Sequence, residues 1–445
     1  MPKHGEKPGR SQVALATGKD AGEATHQAVE KLGGIKKFVK PGDRVFIKPN
    51  MATPTQAPTT TSFDVLAALI KMCREAEAGK ISVGDAPTIS IKSEYVMDLT
   101  GLADFVKWFG AEPFYFDKEE MVEVENPKAK NKKLRSLKLP KTVAECDVFI
   151  NVPVAKTSLM TDVSLALTNL HGVYTHDYRG IYHLNEREFA HKIADLCEVM
   201  QPDLNVLDGW WMGEGEGPWL MNFVQGKFVL ASEDLVAIDS VASHLMGFKS
   251  PRDIILLRIA NERGLGEINL ENIKILGEDP KKYKKDLVKA SKGLVKVPKG
   301  VKAYKGKTQR GTLMTLNFLL TAMNWWFPAL SFDLVVGEKP PEPEESDKPI
   351  IVWGSDAVKS TTNYKFRKGK RIVVDVDKNP PLTPYWEDEK STIEMCGKTD
   401  LKPIITQTMP PILVDIMDLL QGNQLRFWPL CLHAYKENLV KGERW

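Results

Sequence analysis

Short apolar runs alternate with amphipathic stretches from Gln12 to Leu276, the pattern of buried strands separated by helices. Gln12 to Ala16 is predicted as a strand, followed by a helix over Ala21 to Leu32 that Gly33-Gly34 stops. Arg44 to Ile47 reads as a strand ending at Lys48-Pro49-Asn50. Ser62 to Glu77 then reads as a helix, its Val65, Leu66, Leu69 and Met72 at helical spacing. Ile81 to Asp85 and Asp147 to Val152 are further strands, separated by short helices over Ser93 to Gly101 and Leu102 to Phe109. A helix over Phe189 to Met200, strands at Leu204 to Asp208 and Phe228 to Leu230, a helix over Leu235 to Met246, another over Pro251 to Arg263 and a strand at Ile273 to Leu276 complete the alternation. This is the signature of an α/β fold: a mostly parallel sheet with helices on both faces.

After residue 280 the pattern changes. Between Lys281 and Arg310 Asp286 is the one acid among twelve basic residues, and Leu313 to Leu330 is apolar and contains Trp325-Trp326-Phe327. Asn317, Thr321 and Asn324 share one helical face there, so the stretch reads either as a buried inter-domain or dimer helix or as an interfacial anchor beside a basic segment. Glu338 to Pro349 is an acidic, proline-rich linker, and Ile350 to Gly354, Arg371 to Val376 and Ile412 to Leu420 suggest a small C-terminal α/β unit. The expected division is 10–280 for the main domain, 281–337 for the basic segment and Trp-rich amphipathic helix, and 350–445 for the C-terminal domain.

Composition narrows the class. The 445 residues are 42% hydrophobic and 27% charged with a net charge of +3, an ordinary globular balance that gives no electrostatic reason to expect nucleic-acid binding. Five cysteines lie far apart with no C-x-x-C spacing, which points to reduced thiols in the cytoplasm and against an iron–sulfur cluster. No apolar signal peptide is apparent at the N-terminus.

Candidate chemistry gathers where strands end, because the ligand crevice of an open α/β sheet lies beyond the carboxyl ends of its strands. The richest stretch runs from Asn151 to His183 and holds Lys156, Asn169, His171, His176, Asp177, Arg179 and His183. Lys48 and Asn50 end one strand, and Thr59-Thr60-Thr61-Ser62 opens the following helix, where hydroxyls and free amides either hold an anion or cap the helix. Asp85 ends the next strand and either orients a substrate hydroxyl, binds a cation or caps a turn. His171, His176 and His183 are candidate ligands for a divalent metal, although their spacing matches no compact metal motif; His171 and His183 are also candidate acid/base groups. Gly213 to Pro218 is predicted as a glycine-rich acidic loop, with Glu214 and Glu216 as a general base, cation ligands, partners for the lysines, or solvated charges. Asp234 reads as a cap on the helix that follows it.

In their order, Lys48-Pro49-Asn50, Thr59-Thr60-Thr61, Val83-Gly84-Asp85, Asn151-Val152-Pro153 with Lys156-Thr157, Asn169-Leu170-His171-Gly172, Arg179 with His183, Asp208-Gly209, Glu214 to Pro218, Ser232 to Asp239, Met246-Gly247-Phe248 and Gly264-Leu265-Gly266 form a set. Taken together, that set resembles the family called domain of unknown function 362 over roughly residues 10 to 280. The resemblance implies an iron–sulfur-centre-like protein of anaerobic metabolism, although the ferredoxin-like cysteine cluster of many members is missing here. It also implies that Ser158 and Thr168 stand where relatives often carry histidine and lysine.

The expectation is an enzyme acting on a small anionic metabolite, a carboxylate or phosphate, with metal assistance as an option. Lys48, Asn50, Thr60, Asp85, Lys156, Asn169 and Arg179 would bind the substrate, and His171, His183, Glu214 and Glu216 would carry the chemistry. The alternative is a non-catalytic accessory or scaffold subunit docking through Leu313 to Leu330 on a membrane or protein partner. Both readings allow a homo-oligomer and a cytoplasmic chain peripheral to the inner face of the membrane.

Overall fold

A computed structural model describes residues 11–374 except 56, 88–91, 180–184, 219, 296, 315, 318–319, 321–330, 345, 347, 349, 354–356 and 358–370. The chain forms two compact units, Met1–Arg179 with Arg187–Ala290, and Gly180–Glu186 with Ser291–Trp445.

The first unit is built on a ten-stranded sheet. Its strands are β1 (Gln12–Ala16), β2 (Arg44–Pro49), β3 (Lys80–Val83), β4 (Glu112–Pro113), β7 (Val148–Val152), β8 (Val154–Ser158), β9 (Asp162–Ser164), β10 (Leu204–Glu216), β11 (Leu220–Ser232) and β12 (Lys274–Gly277), while β5 (Met121–Glu125) and β6 (Ser136–Pro140) form a separate ribbon. The main path runs β12-β1-β11-β10-β7-β2-β3-β4, with β8 beside β10 and β9 beside β8. Six pairings are parallel, and the antiparallel ones are β1–β11, β10–β11 and β8–β9. Every residue of β7 is buried, as expected of a central strand covered on both faces.

The covering helices are α1 (Ala21–Lys31), α2 (Phe63–Glu75), α3 (Ser93–Leu99), α4 (Leu102–Trp108), α5 (Lys141–Ala144), α6 (Ala166–Asn169), α7 (His176–Arg179), α8 (Glu186–Cys197), α9 (Leu235–Leu245) and α10 (Ile255–Glu262). Their starts follow local chemistry. Asp20 caps α1 by accepting from Glu23 N at 2.8 Å, and Asp234 caps α9 by accepting from Val236 N and Ala237 N at 3.0 Å each. On α2 the buried side is Val65, Leu66, Leu69, Ile70, Met72 and Cys73, the spacing the sequence predicts.

Three elements differ from the sequence reading. The predicted glycine-rich loop at Gly213 to Pro218 is largely strand, because β10 and β11 continue as a 13-residue antiparallel pair. Glycine serves close approach there: a Cβ on Gly213 would lie 2.5 Å from Met221 Sδ, and one on Gly209 would lie 2.2 Å from the Phe228 ring. The single helix predicted over Pro251 to Arg263 is a 3₁₀ turn at Pro251–Asp253 followed by α10, with Ile254 extended between them. Part of the lysine-rich run forms a strand of the second unit.

That second unit holds a four-stranded, wholly parallel sheet in the order β13 (Gly300–Lys305), β14 (Ser331–Val336), β15 (Ile350–Trp353), β16 (Arg371–Val374). Val301, Leu316, Leu320, Phe332, Leu334 and Val336 form its core. Asn317, one of the three polar residues that share a helical face, is fully buried, accepting from Val295 N and donating to Gly293 O, each at 3.0 Å. Those two backbone groups satisfy the buried amide inside the unit. Leu313, Met314, Leu316 and Leu320 are buried too, while Thr321 to Leu330, with Trp325-Trp326-Phe327, lie outside the described residues. Among the described residues no helix is long and apolar enough to cross a membrane.

Candidate functional site

Strand register lays a row of polar residues across the sheet. Lys48 of β2 stands opposite Asn151 of β7, Asn151 opposite Asn205 of β10, and Asn205 opposite Ser232 of β11. All four are buried, so each must find its hydrogen bonds inside the protein. The row lies at the carboxyl ends of β2 and β7, where the sequence places the ligand crevice.

At one end of the row Lys48 Nζ meets Asp85 Oδ1 at 2.7 Å, with both side chains almost completely buried. Asp85 Oδ2 accepts from Met51 N at 2.8 Å, which fixes the carboxylate just past β3. Burial pulls the Lys48 ammonium below its usual range, while Asp85 opposes that shift. Gly172 closes over the pair. A Cβ there would lie 2.1 Å from Asp85 Oδ1 and 2.8 Å from Lys48 Nζ, so any larger residue would displace the ion pair. The glycine of Asn169-Leu170-His171-Gly172 therefore has a steric reason to be glycine.

Lys156 projects from β8 into the same interior. Its Nζ donates to Asn50 Oδ1 and, at 2.9 Å, to Thr59 O. From Asn50 a relay of side-chain amides runs in one direction. Asn50 Nδ2 donates to Asn169 Oδ1 at 3.0 Å, Asn169 Nδ2 to Asn151 Oδ1 at 2.8 Å, Asn151 Nδ2 to Asn205 Oδ1 at 2.9 Å, and Asn205 Nδ2 to Ser232 O at 3.3 Å. Each amide thus donates and accepts along the chain, an arrangement that polarises cooperatively and holds one geometry. Burial, opposed by Asp85 and reinforced by Lys48, brings the Lys156 amine down to about 7.

Arg179, at the end of α7, is buried and donates to Ala86 O at 3.1 Å, one residue from Asp85. Burial lowers it to about 10 despite the pull of Asp85. Lys192 of α8 donates to Arg179 O at 2.9 Å, lies 3.1 Å from His171 Nε2, and sits over the Tyr174 ring at 5.0 Å. Buried among these groups, its amine falls well below its usual value.

The structure thus brings together Lys48, Asn50, Asp85, Lys156, Asn169 and Arg179, and sets His171 behind them against Lys192. Thr60 is buried beside Lys156's acceptor and donates to Thr55 O at 2.9 Å. The α2 N-terminus, which the sequence offers to an anion, holds a carboxylate of the protein itself: Asp208 Oδ2 accepts from Ser62 N at 3.0 Å. Glu214 turns to the loop near the end of the unit, accepting from Val288 N at 2.8 Å. Glu216 is half-buried on the same strand. Ser158 accepts from Met160 N and Thr161 N, and Thr168 accepts from Leu165 N, so both order local turns. His183 and the side chains of His176 and Asp177 lie outside the described residues. Among the described residues no three His, Cys, Asp or Glu side chains are placed to hold a metal.

Four site residues were not singled out for the site from the sequence: Asn205, Ser232, Lys192 and Asp239. Each interrupts an apolar pattern. Asn205 sits inside a buried strand, Lys192 on the buried side of α8 next to Ile193, and Asp239 inside the most apolar helix. Asp239 is the buried cap of α6, accepting from Ala166 N at 2.8 Å and Leu167 N at 3.0 Å, and burial raises its carboxyl to about 7. It orients the short helix that carries Asn169.

Residues 45–244 match the family described as "Domain of unknown function (DUF362)". A thylakoid-associated protein of Synechocystis sp. is 27% identical over 230 residues, covering 49% of this chain and 67% of that protein. Among solved structures, the lactate racemase apoprotein from Thermoanaerobacterium thermosaccharolyticum aligns at a TM-score of 0.37 with 12% identity. That alignment covers 54% of this chain and 58% of the racemase chain.

Proposed function

We propose, for a chain whose residues 45–244 belong to the domain of unknown function 362 family, that the buried cluster at the ends of β2 and β7 and in the middle of β8 binds a small carboxylate or phosphate and acts on it as an enzyme. One observation carries this reading. Lys48, Lys156 and Arg179 are buried together, and among the described residues the ion pair within the cluster is that of Lys48 with Asp85. Asp208, the other buried acid near them, already accepts from Ser62 N and from Trp210 N at 3.1 Å. Buried charge without a partner costs several kcal/mol, so the cluster either sheds a proton or takes up an anion. An anion supplies the missing negative charge for Arg179, and the rigid amide relay holds Lys156 in place beside it.

A panel of acetate, oxalate and phosphate tests the proposal by thermal unfolding of the full chain. A ligand at about 100 times its Kd stabilises a folded protein by about 2.7 kcal/mol. The expected result is an anion-dependent rise in Tm that Arg179→Met and Lys156→Met abolish. Equal responses from wild type and both variants would sink the reading.

A second reading concerns location. The relative named as thylakoid-associated supports peripheral contact with a membrane, as does the exposure of Lys281, Lys282, Lys284, Lys285 and Lys289. Sedimentation of the full chain with anionic vesicles, lost at high salt, is the expected outcome. Equal sedimentation with neutral vesicles would remove it.

A further inference from the structure

The two buried lysines of the site have different partners, and the difference divides the labour between them. Lys48 is held by a carboxylate at 2.7 Å and keeps a fixed countercharge. Lys156 meets neutral oxygens, Asn50 Oδ1 and Thr59 O, and among the described residues no carboxylate forms an ion pair with it. The charged groups that act on it are Asp85 beyond β3, Lys48 of β2 and Asp208 of β10. Two of them are already engaged, Asp85 with Lys48 and Asp208 with the α2 N-terminus.

A neutral amine has two N–H donors and one lone pair, whereas an ammonium has three donors and no lone pair. Two acceptors satisfy the neutral form completely and leave its lone pair available, while the ammonium would keep one buried donor without either of them. We infer that Lys156 is the proton-transferring group of the site, resting as a neutral amine and taking a proton from the atom next to the anionic group of the bound substrate. In that step the substrate X–H bond breaks, its electron pair stays on the substrate, and the proton joins the Lys156 lone pair to give the ammonium. No oxidant or further reactant is needed. The substrate class is a small carboxylate or phosphate with an acidic C–H or O–H adjacent to that group. The nearby anion stabilises the ammonium as it forms. The inference rests on the anion-binding reading for its substrate, but the state of the amine stands apart from it.

Trace labelling of the full chain with acetic anhydride across pH, read by peptide mass spectrometry, tests the amine directly. Lys156 should reach half-maximal reactivity near pH 7, about three units below an ordinary lysine. A midpoint within one unit of the exposed lysines overturns the inference. A buried amine that the reagent fails to reach is judged by chemical denaturation instead. Between pH 7 and pH 10 the folding constant of wild type should rise by up to about tenfold more per pH unit than that of Lys156→Met, which keeps only the gain due to Lys48 and Lys192; equal pH profiles overturn the inference. Repeating the measurement with saturating acetate or sulfate separates the two ideas. A midpoint near 7 that neither anion raises upholds the neutral amine and removes the anion site. A midpoint near 10 with anion-dependent stabilisation intact removes the proton-transfer role and leaves the anion site standing.

Discussion

The mostly parallel sheet of the first unit and the wholly parallel sheet of the second begin alike and end differently. In the first unit β2 runs Val45, Phe46, Ile47 and then Lys48. In the second, β14 ends Leu334, Val335, Val336 and β15 holds buried Ile350 and Val352. Among the described residues of the second unit no lysine is buried, and its buried acid, Asp333, lies toward the start of its strand. A covered parallel strand is apolar by default because its side chains meet other elements on both faces. Polar residues placed at the carboxyl ends of β2 and β7 and at the start of β10 work against that default, and a network of amides, an ion pair and a glycine hold them. The contrast separates a sheet whose described strand ends are apolar from one whose strand ends hold a buried polar network.

The largest effect should come from breaking the ion pair. Lys48→Met leaves the Asp85 carboxylate buried without its cation and should cost about 3–5 kcal/mol in chemical denaturation. Adding Asp85→Leu should recover most of that loss, since removing both charges also removes the desolvation cost. A single variant within about 1 kcal/mol of wild type would show that the pair does not hold the strand end. In the apolar sheet Leu334→Ala should cost about 2–4 kcal/mol through cavity formation, with the Tm response to anions unchanged.

Gly172→Ala comes next. Its added methyl would meet both partners of the pair, so a loss of about 1–3 kcal/mol is expected, accompanied by a weaker anion response. Loss of stability with an unaltered anion response would place the anion away from Lys48 and Asp85.

Taken per pH unit, the smallest effects are in pH dependence. The folded protein holds Lys156 near 7, below its unfolded value, so between about pH 7 and pH 10 the unfolded chain binds more protons and stability should rise by up to about 1.4 kcal/mol per pH unit. Asp239 works in the opposite sense. Its folded value near 7 lies above the unfolded one, so its contribution is full below about pH 4 and is lost as pH rises to 7. Lys156→Met should lower the slope of the upper limb by up to that amount, leaving the share of Lys48 and Lys192, and Asp239→Asn should flatten the lower, as read from urea midpoints at each pH.

Much of the site could be read along the chain because its residues follow predictable strands. Lys48-Pro49-Asn50, Asp85 and Asn151 to Arg179 stand just where apolar runs stop, and strand ends are where parallel sheets converge. Asn205 and Ser232 were less visible. Each is a single polar residue in an apolar strand, and their meaning comes from cross-strand register, which pairs Asn205 with Asn151, 54 positions earlier, and with Ser232, 27 positions later. Lys192 was hidden because a lone lysine among apolar helix positions looks no different whether it reaches solvent or stays inside. The glycines of β10 misled because glycine marks both loops and strands pressed closely by a neighbour.

Periodicity and strand-end chemistry alone determined the α/β class, the alternation of the first unit and the neighbourhood of its polar residues, because burial forces apolar side chains into a local rhythm. Tertiary structure decided the rest. It joined the lysine-rich run to a second parallel sheet, turned a glycine-rich loop into strand, set Lys48 against Asp85, and left Lys156 among neutral oxygens. Those outcomes depend on which distant groups meet once desolvated. A charge's partner, and therefore its protonation state, is a property of the assembled interior.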